Sequence, residues 1–109
     1  FVAENSLNRI LKFKSNLNNV ATWNSDTINM PAHFAYSGTS GNLYVTDPSG
    51  KQIHAIASSG ALLYSFGANG STPHQGQFLS PYGIVLVGND IYVTDQTGNS
   101  IVRFRASSW

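Results

Sequence analysis

Cysteine is absent from the chain. That removes disulfides, thiolate metal sites and thiol nucleophiles together, and it leaves the compartment open. Charge is scarce as well. Only 10% of the residues are charged, well below the roughly 25% of an average soluble domain. Six Lys and Arg nearly balance five Asp and Glu. So few cations leave no broad patch to displace counterions from nucleic acid, and no polybasic membrane anchor. No apolar run approaches the roughly 18–20 residues of a membrane-spanning helix. No basic segment leads into an apolar core, so a signal peptide is not expected, and membrane is not an expected partner. The first residue is Phe1, and the sequence reads as a processed product or a segment of a longer protein.

Ser and Asn take the place of charge. They number 14 and 11, and with 10 Gly they favour turns and disfavour helix interiors. Hydrophobic residues make up 41% of 109, enough for one small packed unit.

The strongest signal is internal repetition. The segments beginning Phe1-Val2-Ala3-Glu4, Tyr44-Val45-Thr46-Asp47 and Tyr92-Val93-Thr94-Asp95 align without gaps through Phe13, Ile56 and Phe104. Each has an aromatic and a Val, then an acid, a polar turn, and an Ile three residues before an apolar residue. The offsets are 43 and 48 residues. Trp23 and Phe66 extend the register, as do the stretches opened by Pro31 and Pro81. Runs such as Gly-Ile-Val-Leu-Val and Ile-Tyr-Val-Thr are β-branched and aromatic. Gly41-Asn42, Ser49-Gly50, Ser59-Gly60, Gly88-Asn89-Asp90 and Thr97-Gly98 punctuate them as turns. Leu7 to Phe13 looks helical alone, but its alignment with Gly50 to Ile56 overrides that. A period of about 40–50 residues with four short strands predicts all-β propeller blades.

The run Leu43-Tyr-Val-Thr-Asp, with Gln52-Ile-His, Ser59-Gly-Ala-Leu-Leu-Tyr-Ser-Phe-Gly and Gln77-Phe-Leu-Ser-Pro-Tyr-Gly-Ile, resembles the NHL repeat of six-bladed β-propellers. The first repeat is the most diverged, with Glu4 for Asp and Trp23-Asn24 for Phe-Gly. The resemblance implies blades of strands A (innermost) to D (outermost). The chain then reads as about two and a half blades and ten strands. Residues 1–30 form a blade lacking its inner strand, 31–80 a complete blade, and 81–109 a blade lacking its outer strand. Tyr44, Val45, Ile53, Phe66, Ile84, Tyr92, Val93, Ile101 and Phe104 are expected to pack between blades.

Glu4, Asp47 and Asp95 recur at the B–C turn. A carboxylate there fixes the turn by accepting backbone N–H groups, and the spacing lacks the alternating ligands of a calcium loop. His33, His54 and His74 fall on three different kinds of element and read as surface or lining histidines rather than a zinc set. The chain also resembles peptidyl-hydroxyglycine amidating lyases, in Asn29-Met-Pro and in Ser71-Thr-Pro-His-Gln-Gly-Gln-Phe-Leu-Ser-Pro. In that family a zinc-ligand His follows the strand-A Pro. Here Ala32 and Tyr82 stand at those positions. His33 is one residue late, and in a strand that shift points a side chain to the other face. The expectation is therefore no catalytic residue, no metal and no cofactor, with a metal-dependent lyase as one alternative. Lys12, Lys14, Arg103 and Arg105 lie on outer C strands. NHL domains of tripartite-motif proteins bind RNA through a basic face, which makes an RNA-binding domain the other alternative, although the wet side of a sheet accounts for these cations. Asn69-Gly70-Ser71 is a glycosylation sequon.

The expected role is a scaffold or binding module, a propeller segment of a larger extracellular or secreted protein or assembly. Its expected partner is whatever completes the propeller. Two copies arranged head to tail supply six blades and twenty of twenty-four strands. Another chain segment, or a different protein, is the alternative.

Overall fold

The computed structural model describes residues 2–4, 9–13, 19–24, 31–69 and 77–105. These residues form twelve strands and no helix: β1 Val2–Glu4, β2 Arg9–Phe13, β3 Asn19–Asn24, β4 Phe34–Tyr36, β5 Leu43–Asp47, β6 Gln52–Ile56, β7 Leu62–Phe66, β8 Ala68–Asn69, β9 Gln77–Phe78, β10 Pro81–Val87, β11 Asp90–Asp95 and β12 Ser100–Arg105. Three antiparallel meanders carry the architecture, in the orders β1-β2-β3, β4-β5-β6-β7 and β10-β11-β12. They are called the first, middle and last blades below. The fourth sheet is a parallel pair, Ala68 opposite Gln77 and Asn69 opposite Phe78, which brings the total two strands above the ten expected.

Turn chemistry sets the register. Val87 pairs with Asp90, so the hairpin β10–β11 closes over Gly88-Asn89. Gly88 has φ 60° and Asn89 does not share the positive sign, the pattern of a II′ hairpin turn. The β5–β6 and β11–β12 loops have four residues each, between Asp47 and Gln52 and between Asp95 and Ser100. Their last residues, Lys51 and Asn99, both adopt left-handed backbone, at φ 59° and 54°.

Two apolar clusters lie between the blades. Ile10 meets Leu43, Val45 and Ile56, with Phe34 packed alongside. On the other side of the middle blade, Tyr44, Ile53 and Ala55 meet Phe78, Ile91, Val93 and Val102. The middle blade is thus covered on both faces, and every residue of β5 is buried. In β11 burial alternates, because one of its faces is open.

Gly67 couples the middle blade to the linker behind it. Its φ is 103°, and a Cβ there would lie 2.8 Å from the Phe78 ring. Only glycine combines that backbone with that proximity. Phe78 is fully buried and stands 5.7 Å from the Phe104 ring, which in turn meets Phe66 edge-on at 4.8 Å.

Two expectations about the core are corrected. Ile101 was expected between blades and is 71% exposed. Tyr92 is only half-buried. Both lie on the face of the last blade that no other described sheet covers. Strand A of the middle blade also begins later than Pro31. Pairing does extend back, since Ala32 N donates to Thr46 O at 3.0 Å and Thr46 N to His33 O at 2.8 Å.

Candidate functional site

The middle blade holds a linear Asp–His–Ser arrangement. Asp47 ends β5, His54 lies in β6 and Ser65 in β7. His54 pairs directly with Ser65 across the ladder, and Asp47 sits opposite Gln52, two residues from His54. Period-two alternation therefore puts the three side chains on one face. Asp47 Oδ2 is 2.9 Å from His54 Nε2, and His54 Nδ1 is 2.6 Å from Ser65 Oγ. The Asp47 and His54 side chains are 0% exposed. With the carboxylate ionised, Nε2–H donates to Asp47, and Nδ1 shares a hydrogen bond with the Ser65 hydroxyl. The other carboxylate oxygen, Asp47 Oδ1, accepts from Gly50 N at 2.8 Å. A Cβ on Gly50 would lie 2.5 Å from Asp47 Oδ2, so the turn needs glycine where the acid folds back.

Acyl transfer needs an approachable serine, its histidine base, and N–H donors converging on an oxyanion. In this arrangement the imidazole is buried and the polar atoms bond one another across three strands. Its chemistry is that of a latch. His54 was expected at a surface or channel and is instead interior. The clue lay in parity: His54 alternates in step with Ile56 and opposite Val45.

Asp95 occupies the same turn in the last blade and bonds differently. Its Oδ1 accepts from Gly98 N at 3.0 Å and from Ser80 N at 2.9 Å, while Oδ2 accepts from Leu79 N at 2.9 Å. Burial pushes its pKa up, but backbone donation from Leu79, Gly98, Ser80 and Thr97 outweighs that and holds it below the ordinary carboxylate value. Val102 stands where the middle blade has His54, so this acid clamps the loop entering its own blade. Glu4 ends β1.

His33 is exposed and meets the Tyr82 ring edge-on at 4.5 Å. It shares no site with His54, and His74 lies outside the described residues. Among the described residues no three His, Asp or Glu are grouped to hold a metal. Arg103 and Arg105 are exposed, and Arg105 Nε sits 3.4 Å from Asp90 Oδ1 across the ladder. Lys12 takes a place in β2, whereas Lys14 lies outside the described residues. Asn69 ends β8, with Gly70 and Ser71 of the sequon outside them.

The open face of the last blade carries the two residues, Tyr92 and Ile101, that sequence reasoning placed between blades. Gly83, Ile84, Val85, Val87, Tyr92, Thr94 and Ile101 line a shallow, almost wholly apolar depression of about 470 Å³. Three equivalent isoleucines show what the face lacks. Ile10 and Ile53 are each 0% exposed beneath the following blade, while Ile101 is 71% exposed.

Similarity to solved structures agrees with this architecture. A catalytically inactive variant of virginiamycin B lyase from Staphylococcus aureus, solved with quinupristin, matches with a TM-score of 0.66 at 19% identity, over 94% of this chain and 36% of that one. The selenomethionine-substituted lyase from the same organism matches at 0.53 and 20% identity, over 90% and 34%. The fold is that of a β-propeller segment. This chain spans about a third of the length of those lyases. No family model and no curated protein matches it.

Proposed function

We propose that the chain is an NHL-type propeller segment acting as a non-catalytic scaffold or binding module in a larger extracellular protein or assembly. One observation carries this reading. The described side chains best suited to chemistry, Asp47, His54 and Asp95, bond to the chain's own turns and strands, while the broad accessible surface on the last blade is apolar. Contiguous exposed apolar surface of this kind marks a place where another protein surface packs. The recurring Tyr-Val-Thr-Asp strands and the Gln77-Phe78…Pro81 entry into an inner strand support the NHL assignment, and the sequon at Asn69 supports the extracellular setting.

Metal analysis of the purified chain tests the non-catalytic reading. The expected result is no stoichiometric zinc and no cleavage of a hydroxyglycine peptide. One tightly held zinc per chain, lost in His33→Ala, overturns it.

A lyase is the second reading, favoured by the name of the proteins that share the fold. Incubation with quinupristin separates the two. Unchanged antibiotic by mass spectrometry is expected for the scaffold, and turnover abolished by His33→Ala favours the lyase.

A further inference from the structure

Tyr44 in β5 and Tyr64 in β7 lie two strands apart, yet their hydroxyls are 3.4 Å from each other. The register explains the approach. Each tyrosine stands directly opposite Ala55 of β6, so the three side chains share one face. Ala55 carries only a methyl group and leaves the space between the two rings open. Tyr44 is buried and Tyr64 is half-buried. The Tyr64 ring packs against Phe66 at 6.3 Å. Burial, and then the hydrogen bond with Tyr44, push the Tyr64 phenol above its ordinary pKa. The repeat does not demand this pair. In the first blade the two equivalent places fall to Phe1 and Ala21, and Lys12 takes the place of Ala55. In the last blade Tyr92 stands opposite Arg103 instead of an alanine.

We propose that Tyr44 and Tyr64 form an oxidative cross-linking site, closed into an intrachain dityrosine by a hydrogen-peroxide-driven peroxidase. Tyr64 is the entry point, because it is the more exposed of the two. It gives an electron to the oxidant and its phenol proton to water. The Tyr44 O–H hydrogen then crosses to the Tyr64 oxygen, which moves the radical inward and restores Tyr64 as a phenol. A second oxidation at Tyr64 leaves two phenoxyls side by side. A carbon ortho to oxygen on each ring couples, one C–C bond forms, and the hydrogens on those two carbons return to the oxygens. The net loss is two protons and two electrons. One hydrogen peroxide accepts them and becomes two waters. No thiol is present in the chain to intercept the radical. The new bond staples β5 to β7 across β6. Nothing in this chemistry depends on the scaffold reading.

The full chain is treated with a peroxidase and hydrogen peroxide, with dityrosine fluorescence and intact mass as readouts. Tyr36 and Tyr82 are exposed and Tyr92 is half-buried. The triple variant Tyr36→Phe/Tyr82→Phe/Tyr92→Phe therefore leaves the pair as the sole tyrosines. The expected product is a monomer lighter by two hydrogens. Cleavage after Lys51 separates Tyr44 from Tyr64 in sequence, and the two peptides are expected to stay joined. Groups held this close meet at millimolar effective concentration or more, so at about 10 μM chain the intrachain product should exceed dimers by about a hundredfold. Adding Tyr64→Phe or Tyr44→Phe removes one oxygen and is expected to cut the fluorescence by that same factor. In the unaltered chain, fragment masses of the joined peptides locate the bond without any substitution.

An unaltered chain that loses no hydrogens under these conditions overturns the proposal. So does fluorescence that scales with chain concentration and survives Tyr64→Phe, which assigns the coupling to separate molecules. So does a bond that maps only to Tyr36, Tyr82 or Tyr92 in the unaltered chain. None of these outcomes bears on the non-catalytic reading, which fails separately on zinc or turnover.

Discussion

The middle and last blades begin from nearly the same residues and end in different environments. Tyr-Val-Thr-Asp ends both B strands, and an Ile follows the Asp six residues later in each. In the middle blade that Ile is sealed, the threonine bonds across a boundary, and the acid holds an imidazole. In the last blade the Ile is wet, the threonine is exposed, and the acid clamps its own entry loop. Identity of sequence position therefore fixes backbone geometry, while the neighbouring blade decides what each side chain contributes.

The sharpest break is the isoleucine pair. Ile53→Ala is expected to cost about 2–5 kcal/mol, as a large-to-small change in a fully packed site does. Ile101→Ala is expected to stay within about 0.5 kcal/mol, as exposed substitutions usually do. Urea denaturation of both variants checks this, and equal shifts in midpoint would show that Ile101 is also covered.

Converting the middle turn into the last one is the next step down. His54→Val removes the imidazole between Asp47 and Ser65 and is expected to cost about 1–3 kcal/mol, the scale for stranding buried polar groups. Thermal unfolding of His54→Val beside Ser65→Ala reads it, with the histidine variant expected to be the worse.

The Asp95 clamp makes a claim about acid. Its folded pKa is depressed, so its contribution is fully present above the unfolded value and is lost as pH falls through the folded one. Stability of the wild type should decline across that acid range, and Asp95→Asn should decline less steeply there. Parallel acid titrations of the two would remove the clamp from the account.

The smallest effect concerns the left-handed residue that closes each turn. The last blade uses Asn99 and the middle blade uses Lys51. Asn tolerates that conformation better than Lys. Lys51→Asn should therefore raise stability, by about 0.5 kcal/mol on the scale of such backbone matches. A lower melting temperature would mean the Lys51 side chain supports something the backbone comparison misses.

Much of the fold was legible because repetition tied short, ambiguous runs to one another. Leu7 to Phe13 is the clearest instance. Its helical look dissolves against the aligned strands, and β2 occupies Arg9–Phe13. The turn glycines were legible too, from the Ser49-Gly50 and Thr97-Gly98 pairs, and the structure adds that a Cβ at either would meet the acid three residues earlier. Cover was harder to read. Ile101 carries the same local signal as Ile53, and the sheet that would bury it is not among the described residues. His54 was misplaced for a different reason. Polarity alone suggests a surface, and only the parity of three separate strands shows that Asp47 and Ser65 satisfy it inside. The short parallel pair β8–β9 has no pattern of its own. It follows from where Gly67 lets Phe78 sit.

The buried latch also makes the middle blade a spectroscopic reporter. A proton held between the Asp47 carboxylate and the His54 ring, with no exposed side-chain surface on either residue, exchanges with water only when the blade opens. Such an imidazole proton resonates far downfield of the amide envelope. One resolved line in the proton spectrum would then follow the integrity of the boundary between the first and middle blades in real time. It would do so without a label, in a chain whose two tryptophans both lie outside that blade.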